Sequence, residues 1–432
     1  PAHPDLLAPV VPLLDAFDAG YGYVSNEGTR FYFATDNSAP RRRLIAFTLQ
    51  EQAPTAWTTI VPEQPETLES IRLVGGAFLA SYLVDAHARL RRFSRDGAPL
   101  GDIALPTLGT LGEVAGEPDD PDAYFAFTSQ LFPTTIFRHT VALDRTEVWR
   151  APHIAFDSGP YETRQTWFAS RDGTRIPMFI TARRQRAPRG ETPVYLYGYG
   201  GFNVTMTPTF SPGVLVWLEL GGAFAMPALR GGGEYGEEWH QAGMREHKQN
   251  VFDDFIAAAE HLIDSGVTTP ARLAIGGGSN GGLLVGAVLT QRPELFGAAV
   301  PAVGVMDMLR YHRFTIGGAW VPEYGSADDA DAFRWLMAYS PLHNIRAGTA
   351  YPATLVTTAD HDDRVVPGHS FKFAATLQAA QAGPAPVLIR IDVEAGHGAG
   401  TPTAKVIDEQ TDRWSFLVRT LELTPPPALS GR

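Results

Sequence analysis

A serine among glycines has the spacing of a nucleophile at a sharp turn. Ser279 is the centre of residues 277–281, GGSNG, which match the pattern G-x-S-x-G. The apolar residues 273–275 before it predict a short buried strand, and a helical pattern begins at Leu283. A strand-to-helix turn of this kind needs a strained backbone and neighbours without bulk. It places the serine hydroxyl by a helix N-terminus, where developing negative charge is favoured.

The same glycines also fit two other interpretations, a plain turn before a helix or a phosphate-binding loop. No lysine follows the glycines, so a Walker-type phosphate loop is disfavoured. We therefore interpret Ser279 as a nucleophile and ask whether the chain supplies its partners.

A serine nucleophile needs a base, and that base must be held by an acid. In α/β-hydrolases the chain order is serine, acid, histidine, each on a loop after a strand. His397 lies in the glycine-rich loop AGHGAG, after a strand pattern that ends near Asp392, and it is the predicted base. His361 is a rival, but it lies on the acid's own loop, whereas His343 and His369 are interpreted as structural or surface residues.

The acid is expected on the loop that follows a strand pattern ending at Thr357. Three carboxylates stand there in the segment DHDDR, namely Asp360, Asp362 and Asp363. Spacing alone does not choose among them.

Length and composition limit the classes of protein to consider. The 432 residues exceed what one core usually holds, which predicts two domains. The net charge of -12 argues against nucleic acid as a partner. The chain has no cysteine, so disulfides and cysteine metal sites are excluded. No apolar stretch is long enough to cross a membrane, and we expect a cytoplasmic protein, or a periplasmic or secreted one if a signal preceded Pro1.

The first 156 residues show short strand patterns separated by turns. Three groups of strands recur at a spacing of roughly 45 residues, which suits four-stranded propeller blades. A β-sandwich is the alternative. From residue 157 strand and helix patterns alternate, which predicts a mostly parallel sheet with helices on both faces. The amphipathic stretch from Asn250 to Ser265 is the clearest of these helices.

Several motifs in a fixed order carry a more specific signal than the serine turn alone. They are YGYGGF, RGGGEYG, GGSNGGLL, PAVGVMDML, YSPLHN, AYPATLVTTADHDDRVVP and AGHGAG in the second half, with YGYVSNEG and AFTSQLF in the first. Together they resemble the prolyl oligopeptidase family of serine peptidases. The resemblance implies an α/β-hydrolase domain over residues 157–432, preceded by part of a β-propeller over residues 1–156.

The resemblance also assigns roles to the candidate residues. It implies Ser279 as the nucleophile, His397 as the general base and then acid, and Asp362 as the acid that orients His397. The oxyanion hole would be the backbone N–H of Asn280 with the hydroxyl of Tyr199 in YGYGGF.

A substrate pocket is implied in the same way. Trp320 would stack on the proline ring of the substrate, and Phe202, Val305 and Tyr324 would line the same pocket. Arg364 would hydrogen-bond a substrate carbonyl upstream of that proline. The alternative for Arg364 is a salt bridge to Asp362 or Asp363, and both can hold in part. The implied activity is an endopeptidase that cleaves short peptides after proline through an acyl-enzyme, without metal or cofactor. The alternatives are a broader acyl hydrolase or aminopeptidase of the same fold, or an inactive fragment.

The strand-rich half is short for this family. The family's propeller has seven blades, whereas residues 1–156 suffice for about three, and three blades would leave strand edges exposed. We therefore expect the C-terminal portion of a longer enzyme. Its expected partners are short proline-containing peptides and the missing N-terminal portion, and we expect it to be a monomer.

Overall fold

The computed structural model describes residues 12–185, 187–398 and 400–424. The chain divides into two compact units. The first comprises Pro1–Phe127 and Thr134–Pro152, and the second comprises Thr128–Pro133 and His153–Arg432.

The strands of the N-terminal region form three four-stranded sheets, each hydrogen-bonded in sequence order. The first sheet contains β1 (Tyr21–Glu27), β2 (Arg30–Thr35), β3 (Arg43–Thr48) and β4 (Thr58–Val61). The second contains β5 (Thr67–Val74), β6 (Ala77–Val84), β7 (His87–Ser94) and β8 (Pro99–Ile103). The third contains β9 (Thr110–Ala115), β10 (Asp122–Ser129), β11 (Phe132–Thr140) and β12 (Arg145–Arg150).

Alternating burial explains why most of these strands are visible in the sequence. Along β10 every second side chain is buried, which is the two-residue period of a half-buried strand. The sequence carries no clear strand pattern for β4, β8 and β9. In β8 the first four residues are exposed, so no apolar alternation marks the strand.

An eight-stranded mixed sheet organises the second unit, in the order β13-β14-β16-β15-β17-β18-β19-β20. The first two pairings are antiparallel and the remaining ones are parallel. Its strands are β13 (Tyr161–Ala169), β14 (Arg175–Arg183), β15 (Val194–Tyr197), β16 (Ala223–Pro227), β17 (Leu273–Gly278), β18 (Ala298–Ala302), β19 (Ala353–Ala359) and β20 (Val387–Asp392).

The helices of this unit pack against the sheet, with α4 on β17 and β18 and with α7 on β19 and β20. They are α1 (Pro212–Glu219), α2 (Glu237–Gln241), α3 (Gln249–Asp264), α4 (Asn280–Gln291), α5 (Val321–Tyr324), α6 (Ala330–Tyr339), α7 (Gly368–Ala380) and α8 (Thr403–Thr420). Among the described residues, no helix is both long and apolar enough to span a lipid bilayer.

The central parallel strands position the chemistry. β17, β18, β19 and β20 are consecutive neighbours, and β17 and β18 are almost wholly buried. Side chains that follow the carboxyl ends of parallel strands meet at one edge of the sheet. Ser279 follows β17, Asp362 follows β19 and His397 follows β20. The predicted fold class, an α/β-hydrolase domain preceded by part of a β-propeller, is confirmed.

Candidate active site

Ser279 lies at a strained turn between β17 and α4. Its backbone has φ 60° and ψ -118°, a conformation that is rare for a residue with a side chain. The flanking glycines are sterically required. A Cβ on Gly277 would lie 2.4 Å from the carbonyl oxygen of Gly281, and a Cβ on Gly281 would lie 2.5 Å from that of Gly198. The turn therefore has the backbone of a nucleophile elbow.

Asp362 and His397 form a close pair on the loops that follow β19 and β20. His397 Nδ1 lies 2.6 Å from Asp362 Oδ2. The carboxylate is buried, and its Oδ1 accepts hydrogen bonds from the backbone N–H groups of Arg364 at 3.0 Å and Val365 at 2.9 Å. With Nδ1 donating to the carboxylate, Nε2 is left as the acceptor nitrogen of the neutral ring.

The other candidate acids and bases lie in different surroundings. His361 Nδ1 is 2.6 Å from Asp360 Oδ1, and the His361 side chain is 71% exposed. The hydrogen bond with Asp360, followed by its charge, raises the pKa of His361. Asp363 is exposed. His369 Nδ1 accepts the backbone N–H of Asp307 at 3.0 Å, which is a structural contact in the core.

Tyr199 reaches Ser279 from the loop after β15. Both side chains line the same pocket, and the phenol is partly buried. Burial, and then the neighbouring Tyr197, raise the pKa of Tyr199 against the lowering effect of the nearby Ser279 hydroxyl. The phenol is therefore protonated at neutral pH, and it is able to donate a hydrogen bond to a developing oxyanion.

Asn280 is the first residue of α4, so its backbone N–H has no acceptor within the helix. Its side chain is buried and connects two other candidate residues. Nδ2 donates to the carbonyl of Tyr199 at 2.6 Å, and Oδ1 accepts from the hydroxyl of Tyr324 at 2.8 Å. The side chain thus ties the start of α4 to both the Tyr199 loop and α5.

All five predicted substrate-binding residues line one pocket with Ser279 and Tyr199. The pocket has a volume of about 250 Å³, below the roughly 300–1,000 Å³ of sites for drug-sized ligands, which suits a single side chain. Its lining residues are Tyr199, Phe202, Ser279, Val305, Ile316, Trp320, Tyr324 and Arg364.

Aromatic rings at fixed angles form the pocket wall. Phe202 stands edge-on to Tyr324, with centroids 5.4 Å apart, and edge-on to Trp320 at 6.5 Å. Tyr311 stacks on Trp320 at 6.2 Å with an interplanar angle of 10°. Such edge and stacked pairs are favourable ring geometries, so the wall is preorganised.

Arg364 contributes to the pocket without an ionic partner on its own loop. Arg364 is exposed. Among the described residues, its guanidinium makes no salt bridge to Asp362 or Asp363. The contact between Arg364 and Asp362 is instead a backbone N–H to the carboxylate. The alternative interpretation of Arg364 as a salt-bridge residue is therefore wrong for this structure.

Four residues near the site were missed in the sequence. Ile316 lines the pocket, and its exposed fraction is 46%. Lys248, Glu323 and His240 form a buried ionic cluster beneath the Tyr199 loop. No sequence signal marked the cluster. Lys248 precedes an amphipathic helix and His240 lies in a short polar segment, as many surface charges do, and Glu323 stands between the pocket candidates Trp320 and Tyr324.

The chain matches two family descriptions along its length. Residues 208–424 match the prolyl oligopeptidase family, and residues 2–152 match its N-terminal β-propeller domain. The chain belongs to the prolyl oligopeptidase family. The resemblance seen in the sequence motifs is thereby confirmed.

Curated members of the prolyl oligopeptidase family are similar over nearly the whole chain. Prolyl endopeptidase from Elizabethkingia miricola is 44% identical over 407 residues, which cover 94% of this chain and 58% of the relative. Prolyl oligopeptidase A from Galerina marginata is 40% identical, covering 95% of this chain and 56% of the relative. The chain therefore spans less than two-thirds of the length of these relatives.

Solved structures from the same family have a similar fold over the matched residues. One, from a study of two prolyl endopeptidases, superposes with a TM-score of 0.92 at 44% identity, covering 95% of this chain and 61% of that one. Another is a mutant of prolyl oligopeptidase B from Galerina marginata, bound to a 35-residue hydrolysis and macrocyclisation substrate. It superposes with a TM-score of 0.92 at 37% identity, covering 96% of this chain and 59% of that one.

Proposed function

We propose that this protein is a serine endopeptidase that cleaves short peptides on the carboxyl side of proline through an acyl-enzyme. The observation that carries the proposal is the pocket that opens beside Ser279. It joins a nucleophile at a strained turn to an aromatic wall made by Trp320, Phe202 and Tyr324. Membership of the prolyl oligopeptidase family, and relatives named prolyl endopeptidase, support the same activity.

The proposed first step is acylation. Ser279 Oγ attacks the carbonyl carbon of the substrate proline while His397 Nε2 takes the hydroxyl proton. Asp362 holds the imidazole in the required tautomer and stabilises its charged form. The negative charge on the carbonyl oxygen is met by the backbone N–H of Asn280 and the hydroxyl of Tyr199. A positioned donor of this kind is worth about 3 kcal/mol of barrier.

Collapse of the tetrahedral intermediate breaks the peptide bond. His397 gives the proton to the leaving amine, and the acyl group remains on Ser279 as an ester. Water then attacks the ester with His397 again as the base, and the acid product leaves with proline at its carboxyl end. In each half-reaction His397 takes up one proton and then gives one proton away, so the protons balance.

Pocket chemistry supports proline at the cleaved position. The proline ring is rigid and apolar, and its nitrogen in a peptide carries no hydrogen. An aromatic wall can therefore bind the proline ring through apolar contacts, and no polar partner is needed. Among the described lining residues there is no carboxylate, which a pocket for lysine or arginine would need. The charge of Arg364 suits a substrate carbonyl upstream of the proline.

The experiment is a pair of chromogenic peptides that differ only in proline or alanine at the cleaved position. We expect turnover of the proline peptide, abolished by Ser279→Ala, with at most slow turnover of the alanine peptide. Equal turnover of both peptides would remove the proline assignment. Rapid hydrolysis of simple esters with neither peptide cleaved would indicate the broader acyl hydrolase instead.

Two finer expectations about the protein in solution stay predictions. The first is a monomer, which light scattering coupled to size-exclusion chromatography tests. The second is a cytoplasmic location, which cell fractionation tests. Short proline-containing peptides are the proposed partners of the site.

A further inference from the structure

A buried ionic cluster lies directly beneath the loop that carries Tyr199. Lys248 precedes α3 and its side chain is 1% exposed, while the side chain of Glu323 in α5 is 6% exposed. Lys248 Nζ lies 3.9 Å from Glu323 Oε1, and His240 Nε2 lies 2.8 Å from Glu323 Oε2. The cluster is separate from the pair formed by Asp362 and His397, and the proposed mechanism does not use it.

The loop above the cluster has an unfavourable backbone. Phe202 and Asn203 have φ values of 58° and 57°. Left-handed backbone is strained at residues with side chains, and it persists only where surrounding contacts impose it. Tyr199 and Phe202 both line the pocket, so whatever imposes this backbone also positions them.

The ion pair contacts this backbone on both sides of Gly201. Lys248 Nζ donates to the carbonyl of Gly200 at 2.7 Å, and the N–H of Phe202 donates to Glu323 Oε1 at 2.9 Å. The two contacts fix one acceptor and one donor of the same short loop. Charged partners make each of these hydrogen bonds stronger than a neutral one.

The cluster also contacts the pocket wall. Lys248 Nζ lies 5.4 Å from the centroid of the Tyr324 ring, within the range of a cation–π contact. Glu323 is the residue before Tyr324 in α5. Because the Tyr324 hydroxyl donates to Asn280, the cluster is linked to both proposed oxyanion donors.

Stability alone gives a weak reason for burying these charges. Replacing a buried ion pair with apolar residues of similar volume is often neutral or stabilising. The cluster instead makes directional contacts with the loop, which apolar side chains cannot make. A role in positioning the loop therefore accounts for its chemistry better than a role in the core.

We propose that the Lys248–Glu323 pair is a positioning element that holds the Tyr199–Phe202 loop in its strained backbone and thereby sets both the oxyanion hole and the proline pocket. The inference rests on the proposed function and adds two positioning residues to it. It has a consequence for pH, because the pair holds the loop only while Lys248 is charged.

Lys248 titrates in an accessible range. Burial lowers the pKa of Lys248 to about 8, against the opposing charge of Glu323. Burial raises the pKa of Glu323, but the hydrogen bond with His240 and the charge of Lys248 outweigh this effect. The pKa of Glu323 is therefore lowered. The remaining titratable groups that face the pair are His240, whose pKa is raised, and the phenols of Tyr199, Tyr324 and Tyr339, whose pKa values are also raised. As pH rises through about 8, the pair therefore loses the Lys248 charge.

The test measures the rate at which a fluorophosphonate labels Ser279 in the full chain. This probe needs the nucleophile and the oxyanion hole but no proline ring. We expect Lys248→Met and Glu323→Gln each to slow labelling by roughly 10- to 100-fold, as small displacements of positioned groups do. Leu262→Ala is the control, since Leu262 is a fully buried core residue of helix α3, which Lys248 precedes. This variant should destabilise the fold without slowing labelling.

The pH profile separates positioning from general destabilisation. In the wild-type protein the labelling rate should fall as pH rises through about 8, and Lys248→Met should lack this fall. The wild-type profile alone keeps the inference testable if a variant does not fold, because a rate that does not fall between pH 7 and pH 9.5 contradicts it.

The outcomes distinguish this inference from the proposed function. A wild-type protein that is never labelled at Ser279 removes both. The positioning role is overturned if wild type is labelled, both variants are labelled at rates within twofold of it, and the pH profile of the rate does not change in the variants. The proposed function would still stand.

Discussion

Asp362 and His397 are joined by a contact of 2.6 Å between Oδ2 and Nδ1, while the other oxygen of the buried carboxylate accepts two backbone N–H groups. Both oxygens are therefore engaged, and the carboxylate plane is fixed relative to its own loop. A fixed carboxylate allows only one orientation of the imidazole.

Asp362→Asn should lower kcat on the order of 10⁴-fold. The amide can still accept the backbone N–H groups, but its NH₂ group then faces His397 Nδ1 and favours the wrong tautomer of the ring. Asp363→Asn is the matched control on the exposed neighbour, and it should change kcat by less than about twofold. Steady-state kinetics with the proline peptide measures both, and the reverse order of effects would assign the acid to Asp363.

Tyr199→Phe should lower kcat by roughly 10²–10³-fold with little change in KM, because the hydroxyl acts on charge that develops in the transition state. Tyr339→Phe is the control. Tyr339→Phe also removes a buried phenol oxygen. Among the described residues, that oxygen has no hydrogen-bond partner. A loss that appears in KM rather than kcat would argue that Tyr199 binds the ground state.

Trp320→Ala should lower kcat/KM for the proline peptide by roughly 10- to 100-fold, the equivalent of one large apolar contact. The alanine peptide should lose less, so discrimination between the two should shrink. Trp149→Ala provides a comparison at an exposed tryptophan of β12. An equal loss for both peptides would mean that Trp320 shapes the site without selecting the ring.

Acid should destabilise the protein partly through His369. Burial lowers the pKa of His369 to about 4 from 6.5, and the ring nitrogen Nδ1 is an acceptor that protonation would remove. Because the folded state binds this proton more weakly than the unfolded state, stability is present above pH 6.5 and is lost as pH falls toward 4. The loss attributable to His369 between pH 7.5 and pH 5 is about 2 kcal/mol.

Urea unfolding of wild type and His369→Gln at the two pH values measures this contribution. The variant should lose less stability than wild type over the same interval. His361→Gln is the control, because the pKa of the exposed His361 is raised rather than lowered and its removal should not protect against acid. Parallel losses in wild type and His369→Gln would contradict the assignment.

The central architecture could be predicted because its residues carry strong local signals. Ser279 stands between a buried strand and a helix, and the glycines around it have no alternative, given the 2.4 and 2.5 Å approaches at Gly277 and Gly281. The long helix α3 shows a clear helical period, and β19 is a continuous buried apolar and threonine run that is typical of a central strand. Where periodicity was absent, as in the exposed β8, the strand was missed.

Tertiary contacts that cross long stretches of sequence could not be predicted in the same way. The choice of Asp362 over Asp360 and Asp363 depends on which carboxylate points at His397, and spacing did not decide it. Lys248 and Glu323 are 75 positions apart and meet only in the fold. Their burial depends on packing, so their residue types alone gave no indication of it.

The central claim is that Ser279 forms an acyl-enzyme with peptides ending in proline, and mass spectrometry of an acid-quenched reaction tests it most directly. Mixing the protein with a peptide ester of proline should release the alcohol and give an adduct with the mass of the peptide acid less water, mapped to Ser279. The alanine ester should give little or none. Adducts of equal yield with both esters, or an adduct on any residue other than Ser279, would contradict it.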